Sequence, residues 1–477
     1  MRSDLYINGE WVAGASERRI EVVNPATEEV LTSVPEATSG EIDAAVTAAR
    51  TCFASDAWTG MSPRKRGALL FRAAQILRER RDDVAALETR QNGKPLFESK
   101  IDVTMSIETL TYYAGWADKI GGRVLPVDGN DFVFTLREPM GVVAAIVPWN
   151  FPLNLATWKF APALAAGCTV ILKPASETPL TALAMADIMQ EAGFPPGAFN
   201  VLTGGGANVG AALVRHPGVD KIAFTGSTPV GQQIMRDAAD SLKRVALELG
   251  GKSPNIIFAD ADLPAAVRGA QNGIFYGKGE VCAAGSRLLV ERSVHDDVVE
   301  QLAARAKKLV PGDPFDKNTR LGAVVSARQQ RTVMEYIEAG RREAKLVAGG
   351  ETATVNGKGF FVQATVFDEA APGMRIVDEE IFGPVLSVLT FDGVEEGIAL
   401  ANQTMYGLAA GIWTQNISKA FTVARAIKAG TVWVNTYNLY DSSAPFGGYK
   451  ASGFGRDLGR EALDNYTETK TVWMGLR

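Results

Sequence analysis

Histidine is nearly missing from this 477-residue chain, which holds only His216 and His295. That scarcity removes most mechanisms that need an imidazole base or imidazole metal ligands, a serine–histidine–aspartate hydrolase among them. Cysteine is almost as sparse. Cys52, Cys168 and Cys282 are odd in number, far apart and without a CxxC pair, so neither a disulfide framework nor a zinc site is expected. Charge of one sign is lacking too. The net charge is −5 with no long acidic or basic run, which excludes the basic stripe of a protein that binds nucleic acid or an anionic membrane. No apolar stretch is long enough to span a bilayer, and MRSDLYINGEWVAGAS has neither the basic start nor the apolar core of a signal peptide. A cytoplasmic protein is expected.

What is present fits a folded enzyme-sized chain. Apolar residues make up 46% and charged residues 22%, ordinary values for a globular protein, and the length calls for two or three domains. From Pro63 to Leu87 apolar residues recur at helical spacing, which predicts one amphipathic helix stopped by Asn92-Gly93-Lys94-Pro95. The segment Arg123 to Glu138 reads as a hairpin turning at Asp128-Gly129-Asn130. Between Gly141 and Phe258 short apolar runs, such as Val142 to Val147 and Ile222 to Phe224, alternate with helix-length stretches. That alternation predicts a doubly wound parallel sheet, which takes ligands at the carboxyl ends of its strands. A second α/β set follows, with strands near Leu288 to Val290, Val362 to Phe367, Val385 to Phe391, Ala409 to Trp413 and Thr431 to Asn435. The tail Tyr466 to Met474 alternates β-formers and could pair with the early hairpin.

Several stretches carry groups that could do chemistry. Gly226-Ser227-Thr228-Pro229-Val230-Gly231 follows a strand and opens a helix, where backbone N–H groups could hold a diphosphate. It lacks the Lys and Ser/Thr of a P-loop, and no GxGxxG follows any strand, so a plain structural turn remains open. Lys173 ends a strand and could donate to ribose or phosphate. Glu248, beside Gly250-Gly251, could be a general base if it faces a cleft. In YGKGEVCAAGSR, residues 276–287, Cys282 stands among small residues in a loop. Locally it is balanced between an inert buried thiol and a nucleophile that needs activation.

Taken together, Pro148-Trp149-Asn150-Phe151-Pro152, Phe224-Thr225-Gly226-Ser227, Glu248-Leu249-Gly250-Gly251-Lys252, Cys282 with Ala284-Gly285-Ser286-Arg287, Glu379-Glu380-Ile381-Phe382-Gly383-Pro384 and Pro445-Phe446-Gly447-Gly448 resemble the aldehyde dehydrogenase superfamily, in that family's order, from about Leu5 to Val472. The resemblance implies a doubly wound Rossmann-type cofactor domain (1–120 and 140–249), an α/β catalytic domain (250–448) and a small β oligomerisation arm (121–139 and 462–477). It implies oxidation of an aldehyde to the acid with NAD or NADP, through a Cys282 thiohemiacetal and thioester, in a homo-oligomer, dimer or tetramer. Asn150 would hold the oxyanion, Glu248 would activate water, and Lys159 would belong to the catalytic set. No metal is implied.

By the same resemblance the cofactor would meet Ile146, Pro148, Trp149, Lys173, Ser176, Gly206, Gly210, Phe224, Gly226, Ser227, Gly231, Leu249, Glu380 and Phe382. The aldehyde would meet Phe151, Leu155, Trp158, Val281, Ala283, Tyr440 and Phe446. The aromatic side chains among these suit an aromatic or medium-chain aliphatic aldehyde, and no arginine is identified for a substrate anion. A semialdehyde or CoA-acylating dehydrogenase is the near alternative, with Glu248 arguing against the acylating class; a thiol esterase is the alternative of another kind. Three departures stand out. Ser176 replaces an acid common in NAD-preferring members, so NADP should be accepted. Asp457 stands where glutamate is common. Glu280 either faces the thiol and raises its pKa, or turns away and braces the loop.

Overall fold

Five apolar runs of the first half form parallel strands, Val142–Ile146, Thr169–Lys173, Phe199–Val201, Lys221–Thr225 and Arg244–Glu248, in a computed structural model that describes residues 2–476. The first four are buried along their whole length, as strands covered on both faces must be. From Val142–Ile146 the chain winds outward through Thr169–Lys173 to Phe199–Val201, then returns to Lys221–Thr225 on the other side. A reversal of this kind opens a crevice beyond the carboxyl ends of the strands. Antiparallel strands close both edges, Leu5–Ile7 on one side and Gly453–Phe454 on the other.

The helix Pro152–Ala166 makes the first crossover, and every one of its residues is buried. Its sequence, PLNLATWKFAPALAA, is apolar around the whole circumference, so no face is left for water. Lys159, the one charged residue in it, therefore requires a buried partner.

After Glu248 the connection 249–253 carries the chain directly into a second sheet, ordered Lys345–Ala348, Thr365–Asp368, Val385–Phe391, Arg287–Glu291, Pro254–Ile257, Ala409–Trp413 and Thr431–Val434. All are parallel except the first. The carboxyl edge of one sheet is thus joined to the amino edge of the other, and the candidate chemistry sits at this junction. The early hairpin forms as Val124–Leu125 with Phe132–Pro139, and the tail Thr467–Met474 pairs with the latter along its full length.

Two expectations need correction. The helix expected from Pro63 to Leu87 breaks at Arg80, giving Pro63–Glu79 and Arg81–Asn92. The second piece buries Glu88, Thr89, Gln91 and Asn92, a polar face that apolar spacing cannot reveal. The strand expected near Val362 to Phe367 is two. Lys358–Val362 belongs to a hairpin with Thr352–Val355, whereas Thr365–Asp368 joins the main sheet.

Candidate active site

The loop bearing Cys282 is built on an unusual backbone. Gly277, Lys278 and Gly279 follow one another at φ +58°, +61° and +70°. Two glycines take the left-handed region freely; a lysine between them does not, and is held by its side chain. Lys278 Nζ donates to the Asn92 carbonyl at 2.9 Å and to Asn92 Oδ1 at 2.7 Å, and pairs with Glu280 Oε2 at 2.8 Å. Glu280 Oε1 also accepts from the Val325 N–H at 3.0 Å. Glu280 therefore turns its carboxylate away from the thiol and braces the loop.

Beyond this brace Cys282 is half-buried in the wall of a cavity of about 700 Å³. Its thiol is pushed up to about 12, first by burial and then by the Glu380 and Glu248 carboxylates, while the N–H groups of Ala283 and Cys282 oppose the shift. Cys52 and Cys168 are buried thiols, each pushed up to about 11 by burial.

Glu248 ends the last parallel strand of the first sheet, and neither of its oxygens has a hydrogen-bond partner. Burial and then Asp457 raise its carboxyl well above the ordinary range, with Lys159 and Arg456 opposing. A Cβ on Gly447 would lie 2.6 Å from Glu248 Oε1, so only glycine allows this approach. Glu380 accepts from the Gly251 N–H at 3.0 Å, and its carboxyl is raised to about 7 by burial. Asn150 Nδ2 donates to the Glu280 carbonyl at 2.9 Å, tying the end of the strand Val142–Ile146 to the cysteine loop.

The cavity places Phe151, Leu155, Trp158, Val281, Tyr440 and Phe446 together with Cys282. Trp158, Tyr440 and Phe446 contact one another with centroids 5.5–6.1 Å apart, and Lys94 Nζ lies 4.2 Å above the Phe151 ring. Ala283 is not part of this wall. It is fully buried and gives its carbonyl to the Tyr437 hydroxyl at 2.9 Å. Lys159 does not reach the cavity either; it pairs with Asp457 Oδ2 at 2.8 Å. Sequence reasoning missed Phe97, Ile101 and Met105, which line the cavity from one face of the helix Leu96–Trp116. Their i, i+4, i+8 spacing was the available signal. It also missed Arg320, whose guanidinium lies 4.9 Å from the Phe97 ring centroid on the same wall and donates to the carbonyls of Lys317 and Thr319.

Comparison with known proteins settles the family. The family model for the aldehyde dehydrogenase family matches residues 11–472. The chain belongs to the aldehyde dehydrogenase family. It is 47% identical over 474 residues to the human mitochondrial aldehyde dehydrogenase, covering 98% of this chain and 91% of that protein. It superposes on the NAD+ complex of a Bacillus cereus aldehyde dehydrogenase at TM-score 0.98, with 49% identity over 100% of this chain and 97% of the other. A P. syringae indole-3-acetaldehyde dehydrogenase in complex with NAD+ and IAA gives TM-score 0.98 and 46% identity, covering 100% and 97%. The protein is an oxidoreductase that acts on an aldehyde, and both of these structural neighbours hold NAD+.

This aldehyde dehydrogenase carries groups that fit the dinucleotide in the crevice at the strand reversal. The helix Thr228–Ala239 begins at Ser227 with no side-chain cap, leaving its first N–H groups free for a diphosphate. Ile146 ends one strand, with Pro148 and Trp149 just beyond it, and Phe224 pairs with Ile146 in the neighbouring strand, with Gly226 and Ser227 just beyond its end. Gly231 lies against Leu249, where a Cβ would come within 2.6 Å of Cδ2. Lys173 is almost fully buried, and burial lowers its ammonium to about 8 against the pull of Glu177 and Glu36. Gly210 lies next to the Lys173 side chain, whereas a Cβ on Gly206 would meet only open space. Ser176 Oγ donates to the Gly204 carbonyl at 3.1 Å, and Phe382 meets Trp149 edge-on at 5.2 Å. No helix among the described residues is long and apolar enough to cross a membrane.

Proposed function

We propose that this enzyme oxidises an aromatic or medium-chain aliphatic aldehyde to its carboxylic acid through a thioester on Cys282, using NAD and also accepting NADP. The observation that carries the reading is the placement of Cys282 in a cavity walled by Phe151, Trp158, Tyr440 and Phe446, with two carboxylates close enough to perturb its thiol. The crevice residues named above would hold the dinucleotide, with Lys173 and Ser176 at the adenosine ribose and Glu380 with Phe382 at the nicotinamide end.

The thiol gives up its proton to solvent water, and its sulfur adds to the aldehyde carbon as the carbonyl π bond breaks and leaves its electron pair on oxygen. Asn150 has one N–H committed to Glu280 and a second available to the oxyanion, alongside the Cys282 N–H. Bound NAD supplies the acceptor for the hydride that leaves the same carbon. Glu248, without a partner on either oxygen, then takes a proton from water, which attacks the thioester and releases the acid. The Lys159–Asp457 pair sets the charge around Glu248.

We further assign 1–120 and 140–249 to the cofactor domain, 250–448 to the catalytic domain, and 121–139 with 462–477 to an arm that assembles a cytoplasmic dimer or tetramer. Exposed apolar side chains on the arm, Val124, Phe132 and Trp473, support that assembly. An aldehyde panel assayed with NAD and NADP tests the function. Turnover in Cys282→Ala equal to the parent would overturn the covalent route. Arg320 favours a second reading, an aldehyde with a distal carboxylate. Under that reading Arg320→Ala lowers kcat/KM for the carboxylated aldehyde alone, and equal effects on a neutral aldehyde of the same length would rule it out.

A further inference from the structure

Four buried polar residues close a ring of bonds beneath the Cys282 loop. The Glu280 carboxylate pairs with Lys278, and Lys278 donates twice to Asn92. Asn92 Nδ2 donates to the Trp149 carbonyl at 2.7 Å and, longer, to that of Asn150 at 3.5 Å. The Asn150 side chain donates at 2.9 Å to the carbonyl of Glu280, where the ring began. None of the four is more than 4% exposed.

The ring decides which end of the Asn150 amide faces which way. A carbonyl oxygen can only accept, so the Glu280 carbonyl selects Nδ2 over Oδ1 on the loop side and fixes the amide plane. The direction of the second Nδ2 hydrogen is then set as well. The Glu280 carbonyl is itself held from behind, because Lys278 and the Val325 N–H both grip the carboxylate of the same residue. Lys278 keeps a left-handed backbone that a lysine leaves readily unless anchored.

We infer that the Lys278–Glu280 ion pair is a positioning unit, which orients the Asn150 amide toward the oxyanion through the Glu280 carbonyl. This rests on the assignment of Asn150 as oxyanion donor made above. Neither charged group lines the cavity that holds Cys282. Their partnership is obligatory in one sense: removal of one charge strands the other in the interior, whereas replacement of both by amides preserves a neutral bridge.

A double-mutant cycle tests the inference, read as the rate constant of the first burst of reduced nicotinamide, with NAD affinity and melting temperature measured on each variant. Glu280→Gln is expected to slow the burst about 30-fold, within the range of a small misplacement of a reacting group, while NAD affinity stays within about twofold. In an Asn150→Ala background the same change should cost less than about threefold, because both changes act through one amide. Lys278→Gln combined with Glu280→Gln should recover at least about tenfold of the loss. An undiminished loss in the Asn150→Ala background, or a parental burst in Glu280→Gln, overturns the positioning role alone. An unchanged burst in Asn150→Ala overturns the oxyanion assignment first and the inference with it. If Glu280→Gln does not fold, Lys278→Gln replaces it in the cycle.

Discussion

Lys159 and Asp457 face each other at 2.8 Å with side chains 1% and 5% exposed, and both act on the Glu248 carboxyl, Asp457 raising it and Lys159 lowering it. The pair exists because an all-buried helix carries one lysine that needs a counter-charge. Asp457→Ala leaves that lysine uncompensated and should destabilise the fold by about 3–5 kcal/mol, read by denaturant unfolding.

The same pair gives a pH prediction of defined sign. Glu248 must be ionised to take a proton from water, so turnover limited by acid release rises with pH through its raised pKa. Asp457→Asn removes the main charge that raises it, and the rising limb should move to lower pH. Lys159→Met removes an opposing charge, and the limb should move to higher pH. Shifts in the same direction for both variants would contradict the arrangement.

Alkylation of Cys282 in the free enzyme should be slow at neutral pH. With the thiol held at about 12, thiolate is scarce, and the rate should rise close to tenfold per pH unit through the alkaline range. Glu380→Gln should speed alkylation more than Glu248→Gln does at high pH, since Glu380 is the stronger of the two charges on the thiol. Glu280→Gln should not shift the profile's pKa, because that carboxylate faces Lys278 and Val325.

Much of the site was readable because its residues end strands. Asn150, Lys173, Ser227 and Glu248 all lie at or just past the carboxyl ends of one parallel sheet, and the alternation of apolar runs located those ends. What could not be read was set by side-chain direction. Glu280 is two residues from the nucleophile, yet its carboxylate faces Lys278 because the backbone between them is left-handed. Ala283 adjoins the nucleophile but points into the core. The central strand Pro254–Ile257 escaped notice since its GGKSP lead-in reads as a turn, although proline at a first strand position loses no ladder bond there.

Cofactor choice should respond to Ser176. Its hydroxyl lies near the Gly204 carbonyl, and Glu177, the next acid along, is engaged by Arg328 at 2.7 Å. No carboxylate at position 176 therefore repels a 2′-phosphate. Ser176→Glu is expected to reduce kcat/KM for NADP by at least tenfold, about 1.4 kcal/mol, with NAD changed less. A parental kcat/KM for NADP below about a hundredth of that for NAD, roughly 2.7 kcal/mol, would refute the role given to serine.

Glu248→Gln separates the two halves of the reaction. Both Glu248 oxygens lack partners and the residue abuts Gly447, so glutamine fits the same space without a base. Hydride departure needs the sulfur adduct and the oxyanion donors, neither of which is Glu248. The variant should therefore show a burst of reduced nicotinamide close to one per site, followed by turnover slowed about 10²–10⁴-fold, the usual contribution of a general base. The acylated Cys282 should accumulate and be visible as a mass increase equal to the acyl group. A burst lost together with turnover would instead make Glu248 the acceptor of the thiol proton. In that case raising the pH should restore the burst, because thiolate then forms without a base.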